Sequence, residues 1–198
     1  MKICKSFPFS NKLTTWYILK KTVITYFLNL LGFNVKTVSF TAGFELEFDV
    51  LIKNIYPTIF LLCKNTLSQS KLMIDVICYD YLKGERRFML IYNLLSVRFN
   101  TRFRVRSRVS NTDNLVSLIS LYKSVGWSER EVFDFFGLFF FENRDLRRIL
   151  TDYAFKGYPL RKDFPITGFV GSYYDDSQKL ICYEGLELSQ EYRNFKLN

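Results

Sequence analysis

The feature of this sequence that most constrains its fold is the loss of apolar periodicity after Gly137. Before that point, apolar residues recur at helical or strand spacing. The stretch Asp152–Phe169 (DYAFKGYPLRKDFPITGF) follows neither rhythm and holds five charged residues, two prolines and two glycines. An extended segment of this kind is stable only where another surface satisfies its backbone N–H and C=O groups. We therefore expect the last third of the chain to lie on a partner.

The first two thirds of the chain contain regular elements that alternate between helical and strand patterns. Turn residues near Ala42-Gly43 and Lys83-Gly84 separate neighbouring strands, and Pro57 is tolerated in the first turn of a helix. Gly126 is the one position where the last helix could break. The predicted helices are Lys12–Leu31, Asn54–Leu67 and Asp113 to about Phe136, and the predicted strands are Phe33–Thr41, Phe44–Leu51, Lys71–Tyr81, Arg86–Val97 and Arg102–Val109.

This order of elements predicts an α+β fold, with a mixed or antiparallel sheet, helices packed on one face and a long extended C-terminal arm. We place an α+β body at residues 1–136 and a partner-wrapping arm at residues 137–198. Residues 1–70 hold eight basic and three acidic residues, whereas residues 142–198 hold nine of each. Dense but balanced charge suits pairing with a protein better than neutralising phosphates.

Composition excludes several classes of site. The chain has no histidine, which removes Ser-His-Asp and Cys-His systems and histidine metal ligands. Its cysteines (Cys4, Cys63, Cys78 and Cys182) form no close pair, which argues against a zinc or iron–sulphur site built by this chain alone. The longest charge-free run, Thr22–Val35, is shorter than the roughly 20 residues of a membrane span. Asn11–Leu31 is basic and amphipathic, so a transit peptide is the alternative to a folded first helix, which we favour.

The strand TRFRVRSRV (Thr101–Val109) alternates strictly between arginine and other residues. Phe103, Val105 and Val109 share one face, and Arg102, Arg104, Arg106 and Arg108 share the other. The arginine face could follow a phosphate backbone, meet acidic groups of a protein or be solvated. Binding of single-stranded nucleic acid needs aromatic residues on the same face, and here the aromatic residue is on the opposite one. We favour the solvated or protein-facing interpretation.

The stretch SEREVFDFFGL places several charged residues on one predicted helix. Ser128 and Glu131 have the spacing of a capping box, and Glu131 and Asp134 lie within one turn of each other. Paired carboxylates can perform acid–base chemistry or bind a divalent metal, but no third oxygen ligand follows at a suitable spacing. We favour a helix whose acidic side meets an arginine elsewhere. Arg147 and Arg148, which lie between Asp145 and Asp152, are suited to bidentate pairing with carboxylates.

These residues also carry a family resemblance. The sequence SEREVFDFFGLFFFENRDLRRILTDYAFKGYPLRKDFPITGFV (Ser128–Val170) resembles the signature of the 30-kDa-type subunit of respiratory complex I, which mitochondrial genomes encode as subunit 9. The likeness covers roughly residues 70 to 195. Three departures are visible: Glu142-Asn143-Arg144 replaces Asn-His-Pro, Tyr158 replaces the histidine of Gly-His-Pro, and Gly185 replaces a proline.

The resemblance implies a subunit of a proton-pumping NADH:ubiquinone oxidoreductase of the respiratory chain. Members of this family lie in the hydrophilic arm, peripheral to the mitochondrial inner membrane on its matrix side. They bind no cofactor, although the complex uses NADH, FMN, iron–sulphur clusters and ubiquinone. They pack on the large 49-kDa-type subunit of the quinone module, and their C-terminal arm wraps over it. Contact with the membrane is indirect, and no nucleic acid is involved.

We therefore expect a structural and assembly subunit with no catalytic, cofactor-binding or metal-binding residues of its own. The predicted partner interface consists of Glu129, Arg130, Glu131, Asp134, Asp145, Arg147, Arg148, Asp152, Arg161, Lys162 and Asp163. On this view, Arg148→Glu impairs assembly far more than folding. The alternative is a basic RNA-binding protein of an organellar ribosome, in keeping with the net charge of +9. A free-standing enzyme is disfavoured because the chain offers no nucleophile–base pair.

Overall fold

The computed structural model of the chain describes residues 10–40, 45–82 and 84–187. The turn predicted at Ala42-Gly43 lies outside these ranges, as do Lys83, Cys4 and the part of the predicted arm beyond Glu187. Within the described residues, no helix is long and apolar enough to cross a bilayer.

Regular structure in the described ranges comprises three α-helices, two short 3-10 turns and nine strands. The helices are α1 (Ser10–Leu31), α2 (Ile55–Lys64) and α3 (Val125–Phe136), and the 3-10 turns are Gly32–Asn34 and Ile52–Asn54. The strands are β1 (Val35–Phe40), β2 (Leu46–Val50), β3 (Leu72–Asp80), β4 (Phe88–Ser96), β5 (Thr101–Val109), β6 (Leu115–Val116), β7 (Phe140–Phe141), β8 (Val170–Asp175) and β9 (Leu180–Gly185).

Five of these strands form one mixed sheet in the order β1-β2-β5-β4-β3. Strands β1 and β2 are antiparallel, as the predicted hairpin requires, whereas β2 runs parallel to β5 with Phe48 opposite Val105. The predicted α+β class with a mixed sheet is therefore confirmed. Strands β6 and β7 form a small parallel pair, and β8 and β9 form an antiparallel hairpin.

The chain divides into two compact units. The first unit comprises the residues up to Asp75 together with Ile91–Ser107, and the second comprises Val76–Leu90 together with the residues from Arg108 onwards. The predicted division at residues 136/137 into a body and an arm stays a prediction.

An aromatic cluster forms part of the core of the first unit. Phe27 of α1 packs edge-on against Phe48 of β2 and Phe103 of β5, with ring centroids 5.5 and 5.8 Å away. All three side chains are buried. Because side chains alternate along a strand, Phe48 and Phe103 reach this core while their sequence neighbours point to the other face of the sheet.

That other face carries a ladder of opposite charges between β2 and β5. The parallel register places Glu47 opposite Arg104 and Asp49 opposite Arg106. Arg104 Nη2 lies 3.0 Å from Glu45 Oε2, and Arg106 Nη1 lies 3.0 Å from Glu47 Oε1. Cross-strand pairs of opposite charge stabilise a sheet modestly. Two of the four arginines of β5 thus form ion pairs with acidic residues of their own chain. The sequence pattern did not reveal these pairs.

The prediction for the third helix was wrong at its N-terminal end. The helix begins at Val125, after a β6 strand and several turns, and Ser128 lies inside it rather than capping it. Leu115, Leu118 and Tyr122 have helical spacing and are all buried, but Leu115 lies in strand β6 and the other two lie in the irregular segment that follows it. Gly126 does not break α3, because it lies in the first turn of the helix. It packs closely on the side chain of Ile119, which a Cβ at this position would approach to 3.0 Å.

The aromatic cluster leads to a stability prediction. Phe48→Ala should lower the free energy of unfolding by about 3–5 kcal/mol, because it leaves a cavity beside two buried rings. Phe60→Ala removes the same side chain from a position of α2 that is 40% exposed, and should cost at most about 1 kcal/mol. Urea denaturation of the two variants measures the difference. Equal losses would show that the cluster does not contribute to the core as described.

Candidate functional site

Two acidic side chains of α3 are fully buried in the second unit. Glu129 and Asp134 are both 0% exposed. A buried carboxylate is costly unless it is hydrogen-bonded, so its partners show what it is for. A third carboxylate, Asp80 at the end of β3, is 5% exposed. We call Asp80, Glu129, Asp134 and the groups bound to them the carboxylate framework.

Asp134 binds a short stretch of the aperiodic region, which is the irregular part of the chain between Gly137 and Val170. Its Oδ2 accepts backbone N–H groups from Ile149, Leu150 and Thr151 at 3.2, 2.8 and 2.9 Å, and its Oδ1 accepts the Thr151 hydroxyl at 2.6 Å. Burial alone would raise the pKa of Asp134, but the hydrogen bonds from Thr151, Leu150 and Ile149 hold it below its ordinary value. The carboxylate therefore remains charged and fixes the backbone that surrounds it.

Arg148 and Arg161 continue this arrangement through Tyr158. Arg148 donates to Asp134 Oδ1 at 3.4 Å and to the carbonyl of Gly157 at 3.0 Å. Its guanidinium carbon lies 5.0 Å from the centroid of the Tyr158 ring, and that of Arg161 lies 4.4 Å from the same centroid. Arg161 Nε also donates to the carbonyl of Phe136, at the end of α3, at 2.7 Å. The two arginines thus pack on the ring of Tyr158, and Arg161 links that ring to the C-terminal end of α3.

Gly137 is required where α3 ends. Its φ of +71° lies in the left-handed region, which is usual for the residue after a helix. A Cβ there would lie 2.5 Å from the ring of Tyr158 and 2.7 Å from Arg161 Nη2. Both the backbone conformation and the close approach of these side chains therefore demand glycine.

Asp80 and Arg87 bind a second part of the aperiodic region, Lys162-Asp163, to the turn between β3 and β4. Arg87 binds Asp80 through two nitrogens, one of them Nε at 2.7 Å from Oδ1, and its Nη1 binds Asp163 Oδ2 at 2.8 Å. Asp80 Oδ2 also accepts the backbone N–H of Lys162 at 3.0 Å. Arg87 is the main cause that lowers the pKa of Asp80 well below its usual range, and the N–H groups of Lys162 and Leu82 contribute.

Glu129 joins α3 to two loops. Its Oε2 accepts from the Ser117 hydroxyl at 2.6 Å and from Asn143 Nδ2 at 2.9 Å, and its Oε1 accepts the N–H of Leu118 at 2.8 Å. Burial raises the pKa of Glu129 and outweighs the hydrogen bonds, which lower it. Asn143 belongs to the triplet in which the sequence departs from the family pattern.

The other predicted interface residues are mostly accessible. Arg130 Nη2 binds Asp145 Oδ2 at 2.8 Å, and Arg147 Nε lies 3.4 Å from Asp145 Oδ1 while its own side chain is 71% exposed. Glu131, Asp152 and Lys162 are exposed. The structure thus ties most of the predicted residues to partners within the chain, among them Glu129, Arg130, Asp134, Asp145, Arg148, Arg161 and Asp163. Whether the eleven residues contact another protein stays a prediction.

The expectation that the acidic side of α3 meets an arginine is met by Arg148 and Asp134. Asp80, Arg87 and Thr151 also belong to the framework but are not among the residues predicted from the sequence. A signal for Asp80 and Arg87 existed: opposite charges on either side of a predicted hairpin turn are expected to lie across from each other. No pattern indicated that Thr151 would fold back onto α3.

The geometry of the framework suits contacts within the chain, which hold its backbone in place, rather than reaction chemistry. Each of its buried carboxylates is surrounded by donors from its own chain. Across residues 10–40, 45–82 and 84–187, no three His, Cys, Asp or Glu residues are grouped as metal ligands. The site therefore defines an α+β protein whose signature residues organise an irregular segment.

Comparisons with known proteins agree with this class. Residues 49–170 match the family model described as respiratory-chain NADH dehydrogenase, 30 kDa subunit. NADH-ubiquinone oxidoreductase subunit 9 of Prototheca wickerhamii is 46% identical over 151 residues, which cover 76% of this chain and 79% of the relative. The mitochondrial NADH dehydrogenase [ubiquinone] iron-sulfur protein 3 of Candida albicans is 48% identical, over 76% of this chain and 54% of the relative.

A solved structure has a similar fold. A chain of the membrane-bound sulfane sulfur reductase, an archaeal respiratory membrane complex, superposes with a TM-score of 0.62 at 25% identity, over 73% of this chain and 84% of that chain. The chain belongs to the family of 30 kDa subunits of respiratory-chain NADH dehydrogenase. The predicted resemblance is confirmed, and the comparisons give no support to the RNA-binding alternative.

The position of Gly137 leads to a second prediction. Gly137→Ala should destabilise the protein more than Gly84→Ala, although both residues have positive φ. At Gly84 nothing lies within 4 Å of a new Cβ, so the cost is the backbone term of about 1 kcal/mol. At Gly137 the displacement of Tyr158 and Arg161 adds to that cost. Thermal melts of the two variants measure the difference, and equal shifts would contradict the described contact.

The framework also predicts how stability depends on pH. The pKa values of Asp80, Asp134 and Asp163 are lowered from the ordinary value of 3.8. A carboxyl with a lowered folded-state pKa stabilises the fold above its unfolded-state pKa, and this contribution is lost as the pH falls through the folded value. Unfolding free energy should therefore fall steeply below about pH 4.

A matched pair of variants isolates Asp134. Asp134→Asn should lower the unfolding free energy at pH 7 by about 1–3 kcal/mol, because an amide cannot accept all of the bonds that the carboxylate accepts. It should also flatten the decline below pH 4. Asp176→Asn replaces an exposed carboxylate and should leave stability at pH 7 unchanged. Urea titrations at pH 7 and pH 3 give both quantities, and an Asp134→Asn profile parallel to that of the wild type would contradict the assignment.

Proposed function

We propose that the chain is a structural and assembly subunit of the hydrophilic arm of a proton-pumping NADH:ubiquinone oxidoreductase. It binds no NADH, FMN, iron–sulphur cluster or ubiquinone, which belong to other subunits of the complex. It lies on the matrix side of the mitochondrial inner membrane and contacts the membrane only through the complex. Family membership supports the complex, and the name of the Candida relative supports the mitochondrion.

The observation that carries the proposed assembly role is the exposure of the β8–β9 hairpin. Tyr174 lies directly opposite Ile181, so the two share a face, and each is 59% exposed. Val170 and Tyr183 belong to the same face and are 58% and 64% exposed. A lone two-stranded hairpin is marginally stable in water, and a charge-free face of large apolar side chains favours burial against a partner.

The opposite face of the hairpin has a different character. Asp175, Cys182 and Glu184 lie on it, together with Tyr173 and Leu180. Carboxylates are costly to bury without a partner, so this face is suited to water or to a polar rim. The hairpin therefore has one face for docking and one for solvent.

The proposal divides the predicted arm, residues 137–198, by function. The carboxylate framework binds Leu150, in the first part of the arm, to Asp134 of α3, and binds Lys162 to Asp80 at the end of β3. The hairpin face then covers the large 49-kDa-type subunit of the quinone module, the proposed partner. Among the predicted interface residues, Glu131, Arg147 and Lys162 have exposed side chains that can join that contact. Arg148→Glu is a poor probe of assembly, because Arg148 also holds Asp134.

Two neighbouring tyrosines test the proposal. Tyr174→Asp places a charge on the docking face, and Tyr173→Asp places the same charge on the opposite face at a similar exposure. We expect Tyr174→Asp to deplete the chain from the high-mass band that reduces a dye with NADH on a native gel, because burying an unpaired charge costs several kcal/mol. Tyr173→Asp should assemble close to normally.

Thermal melts of the two isolated chains serve as the control. Both variants should melt near the wild-type temperature, since both side chains are largely exposed. Equal assembly of the two variants would contradict the assignment of the docking face. Absence of the wild-type chain from the NADH-oxidising band, or its migration with RNA, would overturn the proposed function itself.

A further inference from the structure

Two loops of the first unit meet at one end of the main sheet. One is the connection between α2 and β3, and the other is the turn between β4 and β5. Arg98 Nη1 of the turn lies 3.4 Å from Gln69 Oε1 of the connection. Around this contact lie five exposed side chains, which we call the basic tip: Leu67, Lys71, Val97, Arg98 and Phe99.

The apolar members of the tip are accessible to solvent. Val97 is 69% exposed, Leu67 is 60% and Phe99 is 43%. The guanidinium of Arg98 lies 5.6 Å from the ring centroid of Phe99, which places a charge directly beside an accessible aromatic surface. An apolar surface that is adjacent to cations is the composition found where an interface core meets its polar rim.

The loop that presents Leu67 is fixed by its own hydrogen bonds. The N–H of Leu67 donates to Asn65 Oδ1 at 2.7 Å, and the buried Ser68 hydroxyl donates to the carbonyl of Leu62 at 2.6 Å. The N–H of Ser70 donates to the same carbonyl at 3.2 Å. Leu67 is thus held in solvent by an ordered loop, so binding of a partner would not incur the entropy cost of ordering it.

The charge around the tip has one sign. The sequence contains no Asp or Glu from Val50 to Ile74 or from Leu90 to Thr112. The nearby acidic residues Glu45, Glu47 and Asp49 are engaged with Arg104 and Arg106, further along β5. A cationic, acid-free surface attracts a partner of the opposite charge and repels a basic one.

We propose that the basic tip docks on an acidic surface of another protein, with Leu67, Val97 and Phe99 filling an apolar recess. Lys71 and Arg98 face carboxylates at the edge of that recess. Two cations are too few for the alternatives. Binding to nucleic acid at physiological salt typically uses about six to ten phosphate contacts. Electrostatic anchoring on an anionic membrane typically uses clusters of about four to eight basic residues.

The inference rests on the proposed function in one respect: the acidic protein is sought within the assembled complex. Photo-cross-linking in the intact particle tests it, with p-benzoylphenylalanine at position 99. We expect a cross-link to a peptide of another protein that is rich in Asp and Glu. The same photo-reactive residue at Phe60, an exposed aromatic of α2 outside the tip, is the matched control and should not give that product.

Charge reversal gives an independent readout. Lys71→Glu/Arg98→Glu should reduce the recovery of the particle about tenfold at physiological salt, with an unchanged melt of the isolated chain. Lys36→Glu/Lys53→Glu makes the same charge change at exposed positions elsewhere in the first unit and should assemble as the wild type does. Cross-links to lipid, to RNA or to nothing, or normal recovery of the reversed variant, would overturn the inference. If Tyr174→Asp still blocked assembly in that case, the proposed function would stand without the tip.

Discussion

The carboxylate of Asp134 accepts three consecutive backbone N–H groups and a hydroxyl, and the irregular backbone from Ile149 to Thr151 depends on this one acceptor. Residues 142–169 contain no helix or strand, so their backbone groups cannot satisfy one another through a ladder. The buried carboxylate of Asp134, on helix α3, accepts backbone N–H groups in place of a neighbouring strand. Arg148, Tyr158 and Arg161 then extend the fixed region as far as the end of α3.

This arrangement explains what the buried carboxylates of so distinctive a signature do within the chain. Catalytic carboxylates are typically arranged so that a substrate can reach them. Glu129 and Asp134 instead have no exposed surface and several donors each, so their chemistry serves to position their own backbone. Buried residues of the signature thus build the scaffold, whereas the surfaces proposed for docking include residues outside the signature, such as Tyr174 and Leu67.

The sequence predicted most regular elements because their periodicity reflects burial directly. Strands β3, β4 and β5 begin and end within two residues of their predicted limits. The third helix was placed too early, because Leu115 in β6 and Leu118 after it are buried at helical spacing without forming a helix, and the N–H of Leu118 bonds to Glu129 instead. The partners of Asp80 and Asp134 lie up to 82 residues away in sequence, and a single sequence contains no signal for contacts of that range. Residue types predicted that the charges would pair, but not with which groups.

The position of β2 between β1 and β5 has a consequence for how the chain is made. Strand β2 finds its second neighbour only when β5 has left the ribosome, since Asp49 and Arg106 are 57 residues apart. Until then the nascent β1–β2 hairpin presents an open edge, which is a template for misassembly. Glu47 and Asp49 put two negative charges on that unfinished strand and Glu45 adds a third just before it, and like charges discourage two such edges from joining. The acids that later complete the sheet thus protect its first hairpin during synthesis.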